Sequence, residues 1–261
     1  MSLQADTPFV LRSDAGGVTT LTLNRGERFN PLSEEMLAAL QTEFKAIATD
    51  ESVRVVVLAA AGKVFCAGHD LKQMQANSSE AYYKSLFQQC SKLMLAIQKL
   101  PQPVIARVHG LATAAGCQLV GMCDLAVASD NASFAVSGVN VGLFCSTPAV
   151  ALSRNVSRKQ AMEMLLTGEF IDAQAAMQRG LINRVVSTEQ LDTCVAELAA
   201  SIVAKPAIAI SMGKQLFYKQ LEMGVEAAYQ LAGQTMACNM LDASAQEGVQ
   251  AFLEKRRPDW S

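Results

Sequence analysis

The sequence predicts an α/β fold with an all-helical closing region, and three observations carry that prediction. β-Branched apolar runs alternate with amphipathic helical stretches up to about residue 185. Two strands run directly into turns of small residues that open a helix, at 64–72 and 109–118. Beyond residue 207 no stretch has the composition of a strand, and alanine and methionine are abundant.

Residues 9–13 and 18–24, joined by Asp14-Ala15-Gly16-Gly17, read as a hairpin whose second strand alternates threonine with leucine. Ser33 before Glu34 and Glu35 marks a helix start. Its hydroxyl can accept from exposed amides, the carboxylates suit the positive end of the helix dipole, and the apolar period runs to about Ala48. A buried-type strand follows at 53–59, then a long helix at 79–100 that Pro101 and Pro103 terminate for want of an N–H. A short strand at 104–108 enters a loop of small residues at 110–116, with a helix at 117–122 and a strand at 125–128. After Gly142 helices are expected at 158–167, at 173–179 closed by Gly180, and at 188–204 stopped by Pro206. With no repeat or low-complexity linker, a core over residues 1–200 carrying a helical appendage at 201–261 is expected, rather than two independent domains.

The 261 residues are 51% hydrophobic and 18% charged, enough to bury one large core without disulfides. The seven cysteines form no C-x-x-C pair and lie mostly in apolar runs, which suits reduced core thiols and an intracellular, cytoplasmic setting. Residues 1–17 lack a signal-peptide core, carrying one arginine with Asp6 and Asp14. No uncharged apolar run reaches the roughly 18 residues of a membrane span. A net charge of −2 gives no field that favours nucleic acid or anionic lipid, so neither is an expected partner. With only His69 and His109, histidine metal sites and Ser-His-Asp chemistry are hard to assemble, and no metal is expected. Carboxylates, amides and backbone donors remain.

The two strand-turn-helix segments supply backbone donors. The first amides of a helix are unpaired and lie at its positive end, so two such ends facing each other would form an oxyanion hole. Close helix–strand packing alone would also explain their small residues.

These segments, followed in order by Cys123-Asp124-Leu125-Ala126-Val127-Ala128, Phe134, Leu166-Thr167-Gly168 and Ile171-Asp172-Ala173-Gln174-Ala175-Ala176, resemble the crotonase superfamily of enoyl-CoA hydratases and isomerases. Asn24-Arg25, Asn30-Pro31-Leu32 and the closing Ala251-Phe252-Leu253-Glu254-Lys255-Arg256-Arg257 extend the resemblance over about residues 9–257. It implies a crotonase-like spiral of ββα units with a C-terminal helical trimerisation region, giving a homotrimer or a dimer of trimers. It also implies an acyl-CoA substrate, with coenzyme A present as part of the thioester and no tightly bound cofactor. By position, the N–H groups of His69 and Ala115 would hold the thioester oxygen while an enolate forms. Ala67, Asp70, Leu71 and Lys72 match the loop around adenine and pantetheine, and Arg28 matches a basic position near the phosphates. Phe252 and Lys255 match C-terminal positions that reach coenzyme A, in some members from a neighbouring subunit. The residues alone also allow Lys72 as a solvated charge, Asp70 as a helix cap and Phe252 as packing.

The resemblance marks a departure as well. Gln118 and Gly138 stand where hydratases of the family carry two glutamates that hold and protonate water. A glutamine amide orients water but exchanges no proton near neutrality, and glycine offers no side chain. Because a positioned acid or base typically supplies about 10²–10⁴ in rate, ordinary hydration is expected to be weak or absent. Cys145 and Ser146 occupy a pocket position where other members carry aspartate or tyrosine. Both are weak bases, and Cys145 has no adjacent basic residue, which reads as a packed thiol. The Gly-His-Asp turn at 68–70 also resembles a decarboxylase branch, with Cys145 in place of that branch's tyrosine. Decarboxylase or thioesterase-like activity, or acyl-CoA binding without catalysis, are the alternatives. His109 reads as a structural histidine.

Overall fold

The expected hairpin forms, β1 (Val10–Ala15) pairing antiparallel with β2 (Val18–Leu23), in a computed structural model that describes residues 7–260. Of the N-terminal stretch read for a leader, residues 1–6 lie outside the described residues. Ser33 caps α1 (Glu34–Ile47), its hydroxyl accepting the Met36 N–H at 3.3 Å. From there the chain repeats one pattern of long strand, short strand and helix. The first turn is β3 (Val55–Ala60), β4 (Val64–Cys66), α2 (Leu71–Ala76) and α3 (Glu80–Lys99). The second is β5 (Val104–Val108), β6 (Leu111–Thr113) and α4 (Ala115–Met122). The third is β7 (Leu125–Ser129), β8 (Ser133–Ala135) and, after a 3₁₀ turn at Ser137–Val141, α5 (Ser146–Asn155). It continues through α6 (Arg158–Thr167), β9 (Ile171–Asp172), α7 (Ala173–Gln178), β10 (Arg184–Val186) and α8 (Leu191–Val203). Three more helices close the chain: α9 (Ala207–Gln220), α10 (Val225–Met240) and α11 (Ala243–Leu253).

The long strands make a sheet of order β1-β2-β3-β5-β7-β10, and the short ones a second sheet of order β4-β6-β8-β9. All pairings are parallel except the β1–β2 and β8–β9 ends. The loop expected at 110–116 therefore contains β6, and its last two residues already belong to α4. Strands of three residues are too short for a period of two to register in sequence, which also hid β8, whereas β4 forms where a strand is expected before the small-residue turn at 64–72.

Val55-Val56-Val57-Leu58 shows why the long strands lack polar alternation. Val55 and Val57 pack with Leu191, Val195 and Ala199 of α8 on one face of the sheet. Val56 and Leu58 join Leu37, Phe44, Leu93 and Ile97 on the other. A strand covered on both faces must be apolar at every position.

The boundary expected after residue 200 falls within α8, and α9 is anchored in the core. The buried Lys214 ammonium donates to the carbonyls of Ile97 and Gln102, both at 2.9 Å, and to Asp124 at 2.6 Å. Asp124 also accepts from the Val104 N–H at 2.7 Å and the Tyr218 hydroxyl at 2.9 Å. Burial lowers the Lys214 pKa, while Asp124 opposes that shift. By contrast α10 buries none of its residues, and Tyr229, Leu241 and Phe252 of this region stand 77%, 78% and 82% exposed. Among the described residues no single helix is long and apolar enough to cross a membrane.

The turn from β6 into α4 is strained. Ala114 has φ 50° and ψ −120°, a region that side chains with a Cβ rarely enter, and its N–H donates to the Ala135 carbonyl at 2.9 Å. Two residues on, a Cβ added at Gly116 would lie 2.8 Å from the Cys66 carbonyl carbon, so α4 starts pressed against the end of β4.

Two stability measurements follow from this architecture. Lys214→Met strands the Asp124 carboxylate beside the core, and breaking such a pair costs about 3 kcal/mol, read as a lower urea midpoint. Ala114→Gly relieves the turn at the expense of a more flexible unfolded chain, and a net gain of about 1 kcal/mol is expected in the same assay.

Candidate active site

The end of β4 and the start of α4 meet because β4 and β6 pair in parallel, with Val64 opposite Leu111 and Cys66 opposite Ala112. The turn after β4 is held from a third side by Leu32. The Leu32 N–H donates to the Gly68 carbonyl at 2.8 Å, and Leu32 and His69 form a parallel bridge. The His69 N–H, one residue further along, is thereby directed away from Leu32. Ala115 opens α4 and its N–H has no carbonyl within the helix. Among the described residues, neither the His69 nor the Ala115 N–H donates to a carbonyl outside its own element or to a side chain.

Both residues line one cavity of about 240 Å³. Ala67, Leu71, Gly138, Cys145 and Ser146 line it too, so seven of the residues singled out in sequence come together. Sequence reasoning missed Met74 and Phe87, which are ordinary apolar positions in the periodicity of α2 and α3, as well as Val141, Leu143 and Phe144. A signal existed for the last three: an apolar run around Gly142 whose members remain exposed, Val141 at 69%.

His69 turns its ring toward Leu32, Nδ1 lying 3.1 Å from the Leu32 carbonyl oxygen. A carbonyl only accepts, so Nδ1 carries the hydrogen and Nε2 presents a lone pair. Nε2 is buried without a partner, and Phe87 meets the ring edge-on at 5.6 Å between centroids. Burial lowers the His69 pKa, against the smaller upward effect of the Leu32 bond, so the ring is neutral at pH 7.

Gln118 lies in α4, buried, with its Oε1 unpartnered, and does not line the cavity. At Gly138 there is no room for a side chain. An added Cβ would collide with the Leu143 carbonyl oxygen and stand 2.7 Å from the Cys145 sulfur, which itself accepts the Gly138 N–H at 3.3 Å. Burial pushes the Cys145 thiol up, so it stays protonated.

Arg28, Asp70 and Lys72 gather in a second cleft of about 320 Å³, joined by Arg25, Glu35 and Gln73. Asp70 caps α2, accepting the Lys72 and Gln73 amides at 3.0 and 3.1 Å, and faces Arg28 at 3.2 Å. The chain thus turns from His69 in the apolar cavity to Asp70 in the charged cleft within one residue. Phe252 and Lys255 join neither space in the single chain. Phe252 lies beside Pro206, Ile208 and Trp260, and Lys255, at φ 57°, follows the end of α11. His109 holds the Gly62 carbonyl through Nε2 at 2.9 Å, away from the cavity.

Comparison with known proteins agrees with this architecture. A structure described as enoyl-CoA hydratase from Mycobacterium smegmatis superimposes with a TM-score of 0.96 at 64% identity, covering 97% of this chain and 99% of that one. The structure of human enoyl-CoA hydratase domain-containing protein 3 gives 0.94 at 46% identity over 97% of this chain and all of that one. The rat mitochondrial enoyl-CoA hydratase domain-containing protein 3 is 48% identical over 245 residues, 94% of this chain and 82% of the relative. The family model for enoyl-CoA hydratase/isomerase matches residues 13–261, and the chain belongs to that family.

Proposed function

We propose that the chain processes acyl-CoA thioesters by stabilising an enolate, the N–H groups of His69 and Ala115 taking the thioester oxygen, with little or no ordinary hydration. The observation that carries this reading is the pair of uncommitted N–H groups in one apolar cavity. Donors fixed before the reaction in a dry site lose nothing to reorganisation, and each contributes about 10²–10³ in rate. The cleft holding Arg25, Arg28 and Lys72 begins where the His69 turn ends, so a coenzyme A phosphate there and an acyl group in the cavity belong to one extended ligand. The exposed apolar side chains of the C-terminal helices suit a homotrimer or dimer of trimers, and Phe252 and Lys255 would then serve a neighbouring site. The seven free cysteines, five of them buried, suit a reducing compartment such as the cytoplasm.

Proton supply is the weak side of this cavity. Only His69 and Cys145 of its lining can change charge, and both are held neutral. An activity in which CO₂ leaves a malonyl-type thioester suits such a wall, because breaking the carbon–carbon bond leaves its electron pair in the enolate, no base is required, and the enolate carbon then takes its proton from solvent water, leaving hydroxide.

The test is acyl-CoA binding followed by crotonyl-CoA hydration, malonyl-type decarboxylation and thioester hydrolysis on one preparation. Binding is expected, with hydration at least about 10²-fold below that of a member carrying both glutamates. Hydration at ordinary rates that survives Gln118→Ala would overturn the claim about proton handling. Binding with no turnover would identify a non-catalytic acyl-CoA protein, and absence of binding by the folded chain would remove the reading altogether.

A further inference from the structure

We propose that the His69 side chain is a positioning residue: by donating from Nδ1 to the Leu32 carbonyl it locks its own peptide group so that the N–H points into the cavity. The inference rests on the oxyanion reading above and adds a role for a side chain to a site otherwise made of backbone.

Two bonds of opposite sense join the same two segments. The Leu32 N–H donates to Gly68, and the His69 ring donates back to Leu32, at 2.8 and 3.1 Å. Together they clamp the peptide between Gly68 and His69, which carries the N–H in question. Gly68 itself sits at φ 93°, so the turn lacks the stiffness that a Cβ would give it, and the clamp supplies that constraint. Phe87 meets the ring edge-on, and Nε2 is buried without a partner. A covered nitrogen does not reach a substrate carbon, so the geometry favours a strut over a proton carrier.

The strut works with a neutral ring. Protonation would place a hydrogen on Nε2, where no acceptor waits, so burial holds the ring neutral while Nδ1 keeps its hydrogen for Leu32. The shift of His69 comes from burial and the Leu32 bond, with no charged neighbour contributing. The charges on surrounding elements are engaged elsewhere: Asp70 with Arg28 and the α2 amides, Glu34 with Tyr82, and Glu35 with Gln73. Cys145, across the cavity, is uncharged.

Three substitutions distinguish the roles, since each keeps the backbone N–H. In His69→Asn the amide nitrogen takes the place of Nδ1 and can still donate to Leu32. In His69→Gln it takes the place of Nε2 and cannot, and His69→Ala has no donor. The readout is the infrared carbonyl band of bound crotonyl-CoA labelled with ¹³C at the thioester carbon, which moves to lower frequency when the oxygen accepts strong hydrogen bonds. The wild-type chain and His69→Asn are expected to show the displaced band, and His69→Ala and His69→Gln to lose it while still binding. A displaced band in all three variants, or its loss in His69→Asn as in His69→Ala, overturns the inference and leaves the oxyanion reading standing. A wild-type band at its solution frequency, with binding intact, overturns both.

Discussion

The parallel pairing of β4 with β6 is the constraint on which the site depends. Cys66 opposite Ala112 sets the ends of two adjacent turns of the spiral side by side, so the chain leaving β4 and the helix following β6 emerge at the same edge of the short sheet. In a parallel arrangement all strands end on one side, which is where open α/β sheets place their ligands. Lateral spacing is set by the ladder, and depth by the contact of Gly116 with the Cys66 carbonyl, where a methyl group would not fit. Neither setting involves a substrate-facing side chain. The long sheet supplies rigidity, since strands such as β3 are gripped on both faces.

The same packing explains why the cavity is poor in acids and bases. Gly138 has no space for a side chain because the Leu143 carbonyl and the Cys145 sulfur fill it, so the absence of a carboxylate there is built into the loop at 138–145 as well as into one codon. Gln118 is set back in α4, its amide oxygen buried and unpartnered. A carboxylate in either position would meet a desolvation penalty that drives it toward its protonated form. Backbone dipoles carry no such penalty, because they remain neutral while pointing positive charge at an oxygen.

Much of the fold was legible because its longer elements obey a simple period. Ser33 with Glu34 and Glu35 marks α1, Pro101 ends α3, and the threonine–leucine alternation marks β2. The three-residue strands β6 and β8 were not legible, since they offer fewer residues than one cycle of evidence requires, and β4 was legible only through the small-residue turn it enters. Within the site, small residues betrayed the two turns because backbone function demands close approach, and that demand is local. The apolar wall was hidden for the opposite reason. Phe87 faces the cavity only through the tertiary position of α3, and along the sequence it cannot be told from Leu86, which is buried in the core. Asp70 was readable both as a cap and as part of a charged loop, and it serves both arrangements at once, accepting two α2 amides and facing Arg28.

That double engagement bears on how charge is distributed over the whole ligand-binding region. Asp70 spends one oxygen on the helix and the other on Arg28, so α2 begins firmly at Leu71, two residues after His69, and the cap itself stands in the charged cleft. With Asp70 as the boundary, the basic groups Arg25, Arg28 and Lys72, with Glu35 among them, lie on one side and an uncharged wall on the other. A thioester spanning both would keep its phosphates in a polar, partly open cleft, where screening limits each ion pair to about 1 kcal/mol or less. Its carbonyl would enter the apolar cavity, where the same hydrogen bond to a backbone N–H is stronger because water does not compete. Affinity and activation are thereby separated along a single turn of chain, one residue apart, and a change in the cleft should alter how tightly a thioester is held more than how strongly its carbonyl is polarised.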